Sequence, residues 1–164
     1  MNNINLAVKI ERAISELRRG GKIIISDINS GMSVILTAAE MIEIDTVTSL
    51  SQITSSRPNI ILSPNRANTL GLTSNNYPCS ILIEKTWNIN DILSLCMPIH
   101  NHSQPNLNGV VFEKSNNVVS ICLLLLRQAR LLPAGIMSII SSVPIEKVNN
   151  FASKNNIIYI DSID

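Results

Sequence analysis

The stretch Asn117–Ile140, NVVSICLLLLRQARLLPAGIMSII, decides how this chain is read. Its apolar run from Val118 to Leu126 is broken only by Ser120. Arg127 and Arg130 follow, then the segment LLPAG, then a second apolar run from Ile136 to Ile140. A membrane-crossing helix needs roughly 20 apolar residues in succession. Arg127 ends this run at about half that length, so the pattern predicts a helix buried inside a domain. Pro133 lacks an N–H and disfavours helical geometry in the residue before it, so the helix is expected to stop near Leu131–Leu132. Gly135 would then allow a tight turn into a buried strand over Ile136–Ile140. A helix apolar on nearly every face, a hard stop and a buried strand must be wrapped by the rest of the chain.

Working outward, 164 residues suit one domain, 1–164, with a sizeable core. Hydrophobic residues make up 45% and charged residues 15%, while aromatics are only 3%, so the core is aliphatic. A net charge of +1 argues against a nucleic-acid surface, and the scarcity of aromatics argues against base stacking. Cys79, Cys96 and Cys122 are odd in number and lack CxxC spacing, which reads as reduced thiols in a cytoplasmic protein. The start, MNNINLAVKIERA, has no basic segment followed by an apolar one, so no secretory signal is expected.

Leu6, Ile10, Ala13, Ile14 and Leu17 recur at helical spacing over Ile4–Arg19, with Gly20 and Gly21 closing the helix. Lys22–Ser26 and Met32–Thr37 read as strands around the turn Asp27–Gly31. A helix or turn begins at Ala38–Ile42, and Thr46–Ser56 reads as a helix. Asn59–Leu62 is a third strand, and Ser63-Pro64 caps a helix that ends at Gly71. Tyr77–Glu84 is a fourth strand, and a short helix capped by Asn90 runs to Cys96. Pro98–Asn108 is a polar loop and Gly109–Phe112 a strand. After the central unit come a helix over Pro144–Lys154 and a strand over Ile157–Ile160. Alternating strands and helices predict a mixed α/β (α+β) fold with a largely buried sheet.

Few residues suggest chemistry by themselves. Arg18-Arg19-Gly20-Gly21-Lys22 hints at a phosphate cradle, but it lacks GxxxxGK[ST] spacing and follows a helix where a phosphate loop precedes one, so a helix C-cap is the better reading. His100 and His102 would offer imidazoles to a metal, yet no further ligand stands at suitable spacing. Arg127 and Arg130 would clamp a phosphate, or else simply reach from a core helix to water. No nucleophile–base arrangement and no dense acidic cluster stands out, so no catalytic, cofactor-binding or metal residue is assigned.

Five blocks in order nevertheless resemble 3,4-dihydroxy-2-butanone 4-phosphate synthase, a riboflavin-pathway enzyme. They are AISELRRGGKIIISD, SVILTAAEMI, RPNIILSPNRANTLGL, LLPAGIMSII and IEKVNNFASKNNIIYIDSID, which span nearly the whole chain. The resemblance implies a three-layer mixed sheet flanked by helices and a homodimer. That family acts on ribulose 5-phosphate with magnesium held by acidic residues and a histidine. Its acidic loop, roughly DxEDRENEGD, falls on Ser26–Val34, where only Asp27 keeps a carboxylate. Its GHTEA motif falls on Asn117–Ile121, with Val118 in place of the histidine and Ser120 in place of the glutamate. The acid expected after LLPAG falls on Ile139, and the TTGISxxDR segment is shortened to about Asn88–Ile92. Magnesium needs carboxylate oxygens and enediol chemistry needs a base, which Val, Ser and Ile do not supply.

The pattern is similar to the synthase-like N-terminal domain, without an active site, of some alphaproteobacterial GTP cyclohydrolase II proteins. Their cyclohydrolase domain, which binds zinc, would begin where this sequence ends, at Asp164. The expectation is a catalytically degenerate domain with no cofactor of its own, a dimerisation or support module for a cyclohydrolase partner, with no membrane or nucleic-acid partner. Three rivals stand beside it. One is an active synthase with a relocated site. Another is a phosphate-sensing domain using Arg127, Arg130 or the Arg18–Lys22 corner. The third is an unrelated α/β domain.

Overall fold

The computed structural model describes residues 2–72, 76–98, 103–108, 112–114 and 116–161. In chain order the helices are α1 (Asn2–Arg18), α2 (Thr46–Thr54), α3 (Pro64–Thr69), α4 (Ile89–Cys96), α5 (Asn117–Gln128) and α6 (Val148–Lys154). The strands are β1 (Ile23–Asp27), β2 (Met32–Ala38), β3 (Asn59–Leu62), β4 (Cys79–Leu82), β5 (Phe112–Lys114), β6 (Ala134–Ile139) and β7 (Ile158–Asp161). Short 3-10 turns cover Ala39–Met41 and Ile145–Lys147. Residues 99–102, with His100 and His102, and residues 109–111 of the expected Gly109–Phe112 strand lie outside the described residues.

The strands form one sheet in the order β5-β4-β3-β6-β2-β1-β7. Among the described strands only β1 and β7 pair in parallel; the other neighbours are antiparallel. The sheet is therefore mixed, as expected. Alternation along each strand splits the core into two halves. Ile24, Ile35, Ile60, Leu62, Ile81 and Ile136 face one side, beneath α2, α3, α4 and α6. Ile23, Ile25, Val34, Leu36, Ile61 and Met137 face the other, beneath α1 and α5. Helices on both faces bury the strands on both sides, which is why β1 opens on three successive isoleucines, Ile23–Ile25, and is buried along its whole length.

The central unit departs from expectation at its corner. Helix α5 stops at Gln128, before Pro133 acts. Arg130 adopts a left-handed φ of 59°. Its N–H donates to the carbonyl of Arg127 at 2.9 Å, and the N–H of Leu131 donates to that of Leu126 at 3.0 Å. These two bonds form a Schellman C-cap, built without the usual glycine. Gly135 makes no turn; it lies inside β6, paired with Ala38 and Ile61. Its role is closeness. A Cβ there would stand 2.9 Å from Leu36 Cδ1, 3.0 Å from Leu126 Cδ1 and 3.0 Å from the Thr37 carbonyl. The outer face of α5 is mixed, with Ser120, Arg127 and Gln128 exposed beside the apolar Leu124.

Other ends moved by a residue or two. The cap of α4 is Asn88, not Asn90: its side chain accepts from the Asp91 N–H at 3.0 Å, and Asp91 Oδ2 accepts from the Asn88 N–H at 2.8 Å. That reciprocal capping box satisfies two N–H groups that a free helix end would leave exposed. Gly20, with φ +80°, and Gly21 close α1 as expected. Arg18, in the last turn of α1, serves another helix: its Nε donates to the Ala129 carbonyl at 2.9 Å. Arg18→Ala should therefore cost about 1 kcal/mol and lower the unfolding midpoint by about 2–4 °C, measurable by circular dichroism.

Cys79, Cys96 and Cys122 are all buried and unbonded to one another. Burial pushes the Cys79 thiol up to about 11 and the Cys96 thiol up to about 12, and raises that of Cys122 further. The native state thus keeps protons that the unfolded chain releases above its ordinary value of 9.0. This contribution is complete below that pH and is lost as pH rises through it, by up to about 1.4 kcal/mol per pH unit per thiol. A thiol reagent at neutral pH should label none of the three in the native chain and all three in urea. The urea midpoint should fall above pH 9, and less steeply in Cys122→Ala.

Candidate functional site

One end of the sheet gathers the positions that the resemblance singles out. Asp27 closes β1, where four residues, 28–31, turn the chain into β2, with Gly31 at φ +68°. Asp27 opposes Met32, and Val34 opposes Ile139 at the end of β6. All four lie on the sheet face that α5 covers. The N-terminus of α5 closes the corner. Asn116 caps it, its Oδ1 accepting from the Val119 N–H at 3.1 Å. The Asn117 amide donates to Asp27 Oδ2 at 3.4 Å, and the Asn29 N–H donates to Asp27 Oδ1 at 3.2 Å.

Asp27 is only 2% exposed. A buried carboxylate needs partners, and the positive end of α5 is a favourable place for one. Both of its oxygens are engaged in joining the hairpin turn to the helix. Val118 is fully buried in the core beneath α5, and Ser120 points outward. Ile139 is partly exposed at the rim. Magnesium takes oxygen ligands in near-octahedral array and relies on carboxylates. The corner offers one carboxylate, two amides, one hydroxyl and two hydrocarbon side chains. These residues do not fit a magnesium site. Among the described residues no three His, Cys, Asp or Glu side chains form a metal-holding group.

The remaining candidates are scattered. Arg127 and Arg130 are exposed at the far end of α5. Arg19 and Lys22 border a polar hollow shared with Glu43 and Asp45, so its charges balance. Arg19 also donates to Glu16 at 2.7 Å. Asn88–Ile92, matched to TTGISxxDR, forms the start of α4 on the other sheet face, where it lines a cleft of about 390 Å³ beside Trp87. That cleft was missed in the sequence; the one tryptophan of the chain, two residues after Lys85, was its available signal.

No protein-family model and no curated protein matches the sequence. Among solved structures the likeness is extensive. A mixed three-layer α/β domain with this strand order defines the class, and its fold is that of 3,4-dihydroxy-2-butanone 4-phosphate synthase. The Candida albicans synthase is 21% identical with a TM-score of 0.66, covering 93% of this chain and 92% of that one. A synthase in complex with two magnesium ions is 13% identical with a TM-score of 0.67, over 93% and 92%. RibBX, a two-domain synthase from A. baumannii, is 16% identical with a TM-score of 0.73, and this chain covers 93% of itself but 55% of RibBX. The chain thus spans about half the length of that two-domain protein.

Proposed function

We propose that this chain is a catalytically degenerate synthase-like domain of riboflavin biosynthesis. What supports the reading is the corner itself. The fold brings Asp27, Val118, Ser120 and Ile139 to the end of the sheet that the resemblance makes catalytic, and the side chains there are mostly ones that neither bind magnesium nor move a proton. Asp27 serves the fold, by tying the β1–β2 turn to α5.

In this reading the domain dimerises and supports a GTP cyclohydrolase II partner in the cytoplasm. Leu124, 51% exposed on the outer face of α5, is an apolar group suited to a contact between copies. No helix among the described residues is long and apolar enough to cross a membrane. Calorimetric titration of the folded chain with magnesium tests the reading. No saturable heat is expected, and stoichiometric binding abolished by Asp27→Asn would overturn it.

A further inference from the structure

We propose that the cleft beside Trp87 is a binding site for a small aromatic anion. It lies at the same end of the sheet as the Asp27 corner, since β1, β4 and β6 run in one direction, but on the opposite face. Its wall is apolar: Val47, Ile83, Trp87 and Ile92 all pack on the core there. Its volume, about 390 Å³, falls within the range of small-molecule sites. A sugar phosphate would leave hydroxyls unpaired against these walls, whereas an aromatic ring would stack on the half-buried indole.

Charge sets the other end of the ligand. Lys85 and Arg57 stand on the rim against a single lining carboxylate, Glu43. Arg57 is held in place, its guanidinium donating to the Ile83 carbonyl at 2.7 Å and lying 3.5 Å from Glu84. An anionic group would lie at Lys85, and the hydroxyls of Thr48 and Ser51 also line the cleft. Ile44 is 87% exposed and also lines the opening. An isoleucine so exposed gains burial when a ring occupies the cleft, and so acts as a cover.

The lone tryptophan makes the test direct. The probe is 8-anilinonaphthalene-1-sulfonate, with neutral N-phenyl-1-naphthylamine as its uncharged counterpart, both read by quenching of Trp87 emission. The anionic probe should bind at one site per chain. Lys85→Glu should weaken it about tenfold and leave the neutral probe within about twofold. Ser51→Phe, at a half-buried position lining the cleft, fills it and should abolish quenching by both. Thermal unfolding confirms that each variant is folded. Quenching that ignores both substitutions, or its absence in the parent chain, overturns the proposal. So does equal weakening of the two probes by Lys85→Glu.

Discussion

Gly135→Val lowers the midpoint of thermal unfolding by about 10 °C, corresponding to roughly 3 kcal/mol of overpacking. Gly135 sits where α5 crosses the middle of the sheet, and even one added carbon meets Leu36, Leu126 and the Thr37 carbonyl. The two leucine methyls can swing aside. The carbonyl belongs to β2 and cannot move without disturbing the ladder between β2 and β6. Alanine at this position should cost about half as much. Pairing Gly135→Val with Leu126→Ala should recover part of the loss, because the deleted side chain vacates space that the valine needs. Strict additivity of the two changes, measured in urea, would show that the helix–sheet contact is not the cause.

Val118→His, which returns a histidine to the position where the resemblance expects one, destabilises the chain by about 2–4 kcal/mol. Val118 is completely buried among aliphatic side chains, so the imidazole arrives with its nitrogens unpaired. Burial favours the neutral ring and lowers its folded-state pKa below the ordinary value of about 6.5. The unfolded chain then binds the proton more readily. Stability relative to the parent is retained above about pH 6.5 and falls as pH drops below it, by up to about 1.4 kcal/mol per unit. Urea unfolding of the variant and its parent across this range gives the difference directly. A histidine tolerated here at no cost, with magnesium binding restored, would mean that the corner is still an active site.

Most of the element order was legible because strong local signals agreed with the fold. The apolar runs of β1, β2 and β3 are buried on both faces, and Ser63-Pro64 caps α3 through the Arg66 N–H. The end of α5 is hidden in the sequence because Pro133 is a loud signal and a left-handed arginine is a silent one. Gly135 was read as a turn for the same reason: glycine marks loose backbone and tight packing alike, and only the crossing helix separates the two. Asn90 resembles a cap because it precedes an apolar run, whereas Asp91, three residues beyond Asn88, completes the capping box. The strand order cannot be read from periodicity, since it depends on which strands meet across long connections. The Asp27–Asn117 contact joins residues far apart in sequence, and no spacing rule links them. It was reachable only through the resemblance, which placed both in catalytic motifs. The cleft beside Trp87 draws on three separate segments, each unremarkable alone.

The most direct test of the degenerate reading is turnover. The folded chain, incubated with ribulose 5-phosphate and magnesium, should release no formate above a protein-free control. Formate released above that control, and lost in Asp27→Asn, would contradict the account and make the corner a working active site.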